Sequence, residues 1–226
     1  MRWGMVIDLR KCMGCRACSV SCQEINQVPG GHLRRVHDCG LSSPPRRQRL
    51  FLPTSCMHCR SAPCAEVCPT EATHHLPDGT VDVDRSRCIG CGYCIAACPY
   101  RARHIYAGGA DLIEQDAADE VLENDLGDIA GICVKCSFCH DRVTEGLSKG
   151  LVPGVDAEAS PACVMTCSAK ALYFGNLDDP ESEVSRLLRE NKTTCLQARL
   201  GTEPRVYYIL PLSWSWPDDA DEVPGK

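Results

Sequence analysis

The sequence lacks any stretch that would cross a membrane, and it lacks a recognisable export signal. Its apolar runs are all shorter than the roughly 18 residues that indicate a transmembrane helix. The N-terminal residues MRWGMVIDLRKC contain neither an apolar core nor a twin arginine, so we expect no signal peptide. We therefore expect a chain that is soluble or that another subunit holds at a membrane.

Aromatic residues, basic charge and catalytic motifs are also scarce. Aromatic side chains are only 5% of the 226 residues, which would make a conventional core thin for this length. The net charge of −6 gives no basic excess for nucleic acid. We interpret Arg34–Arg35 and Arg46–Arg47–Arg49 as solvated loop residues or partner contacts, with a patch for lipid head groups as the alternative. No nucleophile–base set, Gly-rich phosphate loop or flavin fingerprint is present, so we predict no catalytic residue.

Cysteine, in contrast, is abundant, at 19 of 226 residues. Such a density indicates disulfides in a short secreted chain but metal in an intracellular one. Residues 88–99, CIGCGYCIAACP, have the Cys-x2-Cys-x2-Cys-x3-Cys-Pro spacing of bacterial ferredoxins. In those proteins three cysteines bind one cubane cluster, and the fourth binds the other cluster of a pair. Zinc sites do not require this repeat, and cysteines two residues apart rarely form a disulfide.

Similar groups of four cysteines recur along the chain. They lie at 12–22, at 56–69 with a longer second gap, and in a group divided between 136–139 and 163–167. Each group supplies three neighbouring thiolates and one offset thiolate. If each offset thiolate binds the cluster of another group, the cysteines form four complete sets. Site 1 is Cys12, Cys15, Cys18 and Cys167. Site 2 is Cys22, Cys136, Cys139 and Cys163. Site 3 is Cys56, Cys59, Cys64 and Cys98. Site 4 is Cys68, Cys88, Cys91 and Cys94.

This arrangement predicts an α+β fold of two nested bacterial-type 2[4Fe–4S] ferredoxin modules, loop-rich, with short β-hairpins and a few peripheral helices. Because every set has four thiolates, we predict four [4Fe–4S] clusters. An outer module comprises 1–51 and 107–177 and holds sites 1 and 2. An inserted inner module, 52–106, holds sites 3 and 4. Residues 178–226 form a C-terminal helix, strand and tail that pack on the outer module or a partner.

Three cysteines lie outside the four sets. We interpret Cys39 and Cys195 as packed free thiols. Cys133 stays open, because Cys133-x2-Cys136-x2-Cys139 also has the spacing of a ligand triplet, although we prefer Cys136 and Cys139. Four cations lie next to ligands in the sequence, and we hypothesise that they raise the reduction potential of the nearest cluster. These cations are Arg16, Arg60, Lys135 and Arg142.

Hydrophobic patterning predicts a few regular elements. Strands are expected at 3–9, at 80–83 after an Asp78-Gly79 turn, and at 205–210. A helix is expected to begin at 178–181 with an acidic N-cap and to bury Val184, Leu187 and Leu188. A surface helix is expected at 111–126, and residues 23–50 are expected to form a loop.

Four segments resemble the iron–sulfur subunit of the complex iron–sulfur molybdoenzymes, the dimethyl sulfoxide reductase family. They are GMVIDLRKCMGCRACSVSC, KCSFCHDRVTEG, PACVMTC and GNLDDPESEV, and they are most similar to the polysulfide, thiosulfate and arsenate reductase branch. The resemblance covers about residues 3–212. The spacer between Cys139 and Cys163 is longer than that branch leads us to expect.

The resemblance implies a non-catalytic subunit that passes electrons between a molybdopterin-containing catalytic subunit and a membrane quinone-reactive subunit. It also implies that the cluster of site 1 lies nearest the catalytic subunit. Because the chain has no C-terminal transmembrane helix, the complex would be attached to the cytoplasmic or periplasmic face of a membrane by another chain. The alternative is a soluble polyferredoxin or a hydrogenase-type electron-carrier subunit.

Overall fold

The structure is a computed structural model that describes residues 1–28, 33–41, 47–106, 130–212 and 214. The helix predicted at 111–126 and most of the tail after 212 lie outside these residues. The longer strands are β1 (Trp3–Asp8), β2 (Arg35–Leu41), β3 (Arg49–Thr54), β8 (Leu172–Asn176) and β10 (Val206–Ile209). The short strands are β4 (Thr73–His75), β5 (Val81–Val83), β6 (His104–Ile105), β7 (Cys133–Val134) and β9 (Thr193–Thr194).

The helices are short, and most of them follow a cysteine loop. They are α1 (Ala17–Asn26), α2 (Pro63–Glu66), α3 (Tyr93–Ala96), α4 (His140–Ser148), α5 (Ala162–Met165) and α6 (Glu183–Glu190). The predicted α+β class with short hairpins and few helices is confirmed. Among the described residues, no helix combines the length and the apolar composition that crossing a bilayer requires.

The largest sheet has four strands in the order β8-β1-β10-β9. Its centre is β1, which is antiparallel to β8 and parallel to β10, with Met5 opposite Val206. Successive side chains of a strand point to opposite faces. Met5 and Ile7 therefore face the cysteine-rich core, while Val6 packs against α6 on the other face. The sheet thus forms one wall of the region that holds the cysteines.

Several predicted elements are confirmed. The strands predicted at 3–9, 80–83 and 205–210 correspond to β1, β5 and β10. Helix α6 buries Val184 and Leu187 as expected, whereas Leu188 is only partly buried. Its acidic N-cap was predicted wrongly: the cap is Ser182, whose Oγ accepts a hydrogen bond from the Ser185 amide at 3.2 Å. The carboxylate of Asp178 instead pairs with the N-terminal amine at 3.3 Å and with Arg2 at 2.6 Å.

The prediction of a loop at 23–50 was wrong for much of that range. Helix α1 continues to Asn26, and β2 pairs with β3 as an antiparallel hairpin that has a bulge between Asp38 and Leu41. Leu50 and Leu52 of β3 are fully buried. Full burial of a leucine contributes about 1.5–3 kcal/mol, so these two side chains hold the hairpin on the core.

Two smaller hairpins connect the cysteine loops. Strands β4 and β5 pair through Thr73 and Val83, around the turn at Gly79. Strands β6 and β7 pair through His104 and Val134. This second pairing joins the segment that follows Cys98 to the segment that precedes Cys136.

Candidate iron–sulfur centres

All four cysteine groups share one local structure, a loop that leads into a short helix. The third cysteine of each group lies in the first turn of α1, α2, α3 or α5, and the fourth lies in or just after that helix. The loops need left-handed backbone, supplied by Gly14 at φ +73°, Gly90 at φ +67° and Gly92 at φ +79°. Glycine adopts this conformation without a steric penalty. The repeat in the sequence is therefore a repeat in the backbone.

The cysteines of site 2 line one cavity of about 260 Å³, together with Met5, Leu33 and Phe138. Cys22 comes from α1, whereas Cys136, Cys139 and Cys163 come from a segment more than a hundred residues later. Burial raises the pKa of Cys22. Three neighbouring thiols raise it further, and they are those of Cys136, Cys163 and Cys139.

The cysteines of site 4 line a cavity of about 310 Å³, and Cys133 lines the same cavity. The Cys133 amide donates a hydrogen bond to Cys88 Sγ at 3.4 Å. A hydrogen bond from the Cys133 thiol and the nearby charge of Arg103 together lower the pKa of Cys94 to about 6, against the opposing effect of burial. The same hydrogen bond, and then burial, raise the pKa of Cys133. Cys133 thus contacts site 4 as a fifth thiol.

Sites 1 and 3 are also assembled from distant parts of the chain. Burial raises the pKa of Cys12, and the neighbouring thiols that add to this effect are those of Cys18, Cys167 and Cys15. Burial raises the pKa of Cys59 to about 12, and the neighbouring thiols here are those of Cys56, Cys64 and Cys98. In each of these two sites, one neighbouring thiol comes from a distant part of the sequence. It is Cys167 in site 1 and Cys98 in site 3, and each is the offset cysteine of another group.

Backbone amides point at several of these sulfurs. The Ala102 amide lies 3.5 Å from Cys98 Sγ, and the Ala171 amide lies 3.3 Å from Cys167 Sγ. A third amide of this kind, from Thr73, lies 3.4 Å from Cys68 Sγ. Amide-to-sulfur hydrogen bonds favour thiolate over thiol, and they are one of the means by which proteins set cluster potentials. The three offset cysteines Cys68, Cys98 and Cys167 therefore have matching surroundings.

The donor set and the charges around it fit iron–sulfur clusters. Each thiolate of a [4Fe–4S] site binds a different iron atom, so the four sulfurs need not converge on one point. Among the described residues, no three His, Cys, Asp or Glu side chains converge as ligands of a single metal ion do. Arg34 is 1% exposed and its Nε and Nη1 have no hydrogen-bond partner among those residues. A cation in such a place requires an anion nearby, and an anionic cluster would supply it.

Burial makes several of these thiols hard to ionise without metal, whereas Cys94 and Cys68 are exceptions whose pKa is lowered. Burial is the main factor that raises the pKa of Cys163 to about 12. Clusters bind thiolates, so loading this site with iron must release the protons. A buried thiol that is costly to ionise alone becomes a good ligand once the metal supplies the positive charge.

The structure changes the interpretation of several cations. Arg34 was expected to be solvated and is fully buried, so that expectation was wrong. Sequence reasoning also missed Arg103, which is 5% exposed. Of the four cations predicted to tune potentials, Lys135 is buried, whereas Arg60 pairs with Glu203 at 3.0 Å on the surface. Arg16 is also exposed, and Arg142 donates to backbone carbonyl groups.

The remaining cysteines differ in position. Burial raises the pKa of Cys39 and of Cys195 to about 11. Cys39 is partly buried in β2, and Cys195 Sγ lies 4.0 Å from the carbonyl oxygen of Pro204. Cys133 begins β7 and faces site 4, and it does not line the cavity that Cys136 and Cys139 share.

Family comparisons agree with the cysteine pattern. Two models described as a 4Fe-4S dicluster domain match this chain, at residues 47–110 and at residues 87–148. The first range contains all cysteines of sites 3 and 4. The second range extends from the Cys88 loop through Cys139.

Curated relatives align with nearly the whole chain. The putative dimethyl sulfoxide reductase iron-sulfur subunit of Halobacterium salinarum is 38% identical over 92% of this chain and 78% of its own length. Protein NrfC of Escherichia coli is 38% identical over 92% of this chain and 81% of its own. The menaquinone reductase iron-sulfur cluster-binding subunit of Nitratidesulfovibrio vulgaris is 36% identical over 95% of this chain and 91% of its own.

Proposed function

Because the chain belongs to the family of iron–sulfur electron-transfer subunits of reductase complexes that includes the dimethyl sulfoxide reductase iron-sulfur subunit and NrfC, we propose that it relays single electrons through four [4Fe–4S] clusters. The ligand sets are sites 1 to 4, and the two nested modules are those defined above. The observation that carries the proposal is the proximity, in each site, of three cysteines from one group and one offset cysteine from another. When bound, the clusters would supply one-electron redox chemistry.

The residues between the sites support a linear order from site 1 to site 4. Arg34 lies close to Cys18 of site 1 and to Cys163 of site 2. Cys56 of site 3 is close enough to Cys136 of site 2 to influence its ionisation. Arg103 lies close to cysteines of sites 3 and 4. The protein thus provides a continuous series of adjoining metal sites, as an electron relay requires.

The most exposed ligands of this series lie at its two ends. Cys15 of site 1 and Cys91 of site 4 are exposed. Exposed apolar side chains lie in the cysteine loops at both ends, namely Met13 (59% exposed) at site 1, and Ile89 (67%) and Tyr93 (59%) at site 4. Exposed apolar residues in a group mark protein interaction surfaces. We therefore place the redox partners at these two ends of the proposed relay.

For the partners we carry forward the family resemblance. Site 1 would face a molybdopterin-containing catalytic subunit. Site 4 would face a membrane quinone-reactive subunit or another redox partner, and one relative is named as a menaquinone reductase subunit. The complex would therefore be held at a membrane by that other chain. The polysulfide, thiosulfate and arsenate reductase branch is the assignment that the four motifs favour.

Metal analysis of the anaerobically purified chain tests the number of clusters. We expect about 16 iron atoms per polypeptide. Replacement of the ligand Cys98 by serine should remove up to about a quarter of the iron, whereas replacement of Cys195 by serine should leave it unchanged. Half the expected iron in the wild-type chain, or equal losses in the two variants, would refute the assignment.

A second experiment tests the docking ends within the complex. Lysine in place of Ile89 or Tyr93 should slow electron transfer to one partner, while lysine at the exposed Val155 serves as a control. The soluble carrier alternative predicts something different. An isolated chain that is monodisperse, fully loaded and unaffected by the Ile89 and Tyr93 variants in transfer to a small soluble acceptor would favour that alternative.

A further inference from the structure

Two arginine side chains are at least 95% buried and have no carboxylate partner among the described residues. Arg34 is 1% exposed, and its Nη2 donates to Met5 Sδ and to Ser55 Oγ, each at 3.2 Å. Arg103 is 5% exposed, and its Nη1 donates to Thr73 Oγ1 at 3.0 Å and to Cys133 Sγ at 3.6 Å. Arginine stays charged in proteins, so each position holds a permanent buried positive charge.

Arg34 lies between the two sites of the outer module. Its hydrogen-bond partner Met5 lines the same cavity as the cysteines of site 2. The charges that raise the pKa of Arg34 against the opposing effect of burial come from both sites. Cys163, Cys136 and Cys22 belong to site 2, and Cys18 belongs to site 1. One guanidinium is therefore close to both sets of ligands.

Arg103 lies between the two sites of the inner module. It follows Cys98 by five residues and precedes β6. The thiols that raise the pKa of Arg103 most are those of Cys64 and Cys56, which belong to site 3. The thiol of Cys94, which belongs to site 4, also raises it. The contact with Cys133 also directs this guanidinium toward site 4. Each module thus buries one arginine between its two sites.

A third buried cation lies between the modules. Lys135 Nζ donates to the carbonyl oxygen of Val81 and, at 2.9 Å, to that of Cys136 in site 2. Its charge also acts on Cys64 of site 3. The nearest carboxylate, on Asp82, is 3.9 Å away and 35% exposed. Lys135 therefore has a partial counter-charge, unlike the two arginines.

We propose that Arg34 and Arg103 are shared counter-cations, each of which stabilises the reduced state of both clusters in its module. Each one-electron reduction adds one negative charge beside the same guanidinium. A fixed positive charge at short range in a medium of low dielectric constant favours that added charge. The two potentials of a module are then raised together. This inference rests on the proposed function, because it requires clusters in the four sites.

Redox titration of the anaerobically loaded chain, followed by electron paramagnetic resonance, tests the inference. The Arg34→Met variant should shift two of the four midpoint potentials to lower values, and Arg103→Met should shift the other two. Arg35→Met and Arg101→Met are matched controls, because they remove the same charge from exposed positions next to the buried ones. Neither control should shift any potential appreciably.

Lysine variants separate charge from packing. Arg34→Lys keeps the positive charge, so it should retain the iron and return both potentials toward the wild-type values. If Arg34→Met loses iron, recovery of iron in Arg34→Lys supports the proposal, and equal loss in both variants overturns it. If Arg34→Met keeps its iron and its potentials match those of Arg35→Met, the proposal is also overturned. A wild-type chain without the expected iron would instead refute the proposed function.

Discussion

Replacement of Gly90 by alanine tests how the cysteine loop of site 4 is held against the segment that leads into β7. Gly90 has φ +67°, and a Cβ at this position would lie 2.1 Å from the carbonyl oxygen of Gly131. Gly92, in the same loop, has φ +79°, but the nearest heavy atom to its added Cβ would be Ile105 Cδ1 at 4.0 Å. The two glycines therefore share a backbone conformation and differ in the contact.

The expected destabilisation of the loop follows from two energy costs, one for the backbone conformation and one for the steric contact. Left-handed backbone costs alanine about 1–2 kcal/mol, and this cost applies to both variants. Forcing a methyl group into close-packed surroundings costs a further 1–3 kcal/mol or so, and only Gly90→Ala incurs it. The difference corresponds to roughly a 5- to 150-fold change in the equilibrium for opening the loop.

Iron release to a chelator measures this opening, with the visible absorbance of the clusters as the signal. When opening is rapid and reversible, the release rate follows the population of the open state. We expect Gly90→Ala to show a fast phase that contains about a quarter of the iron, because one cluster of four is affected. Gly92→Ala should show a much smaller acceleration. Equal rates for the two variants would refute the argument that contact with Gly131 secures the loop.

Other predictions concern single side chains. Cys22→Ser should remove between about one and four iron atoms per chain, whereas Cys195→Ser should remove none, as metal analysis will show. Cys133→Ala should retain all the iron and lower one midpoint potential, because a hydrogen bond to a ligand sulfur is lost; a loss of about four iron atoms would instead make Cys133 a ligand. Ser182→Ala should lower the thermal stability of the loaded chain by about 1 kcal/mol through loss of the α6 cap. Ser148→Ala, at an exposed hydroxyl, should change it by less than about 0.5 kcal/mol, and a larger effect there would contradict the capping argument.

The local structure of the cysteine loops was the most predictable part of the molecule, whereas the four ligand sets stay a prediction. The cysteine spacing repeats along the chain, and each repeat imposes the same loop and short helix through local geometry alone. The sequence also predicted several regular elements well, because their apolar periodicity is local. These are strands β1, β5 and β10 and the buried face of α6. The grouping of offset cysteines followed from the ferredoxin rule rather than from any property of the intervening segments.

The buried arginines could not be predicted in this way. A run such as Arg34–Arg35 normally indicates a solvated surface, because burial of a charge is unfavourable without a partner. The partner here is a set of cysteines distant in sequence, and only the fold brings it to Arg34. The β2–β3 hairpin was missed for a related reason. Its strands contain charged residues and a proline at 53, so their pattern resembles that of a loop although Leu50 and Leu52 are buried.

The position of β1 at the centre of its sheet has a consequence for biosynthesis. Both of its neighbours, β8 and β10, follow it by more than 160 residues in the sequence, so the ribosome makes them much later. If the proposed ligand sets are correct, sites 1 and 2 stay incomplete until Cys163 and Cys167 have been made. All cysteines of sites 3 and 4 emerge much earlier, between Cys56 and Cys98. We therefore expect the cellular iron-delivery machinery to be able to load the inner pair of sites before the outer pair, which requires that Cys167 has emerged.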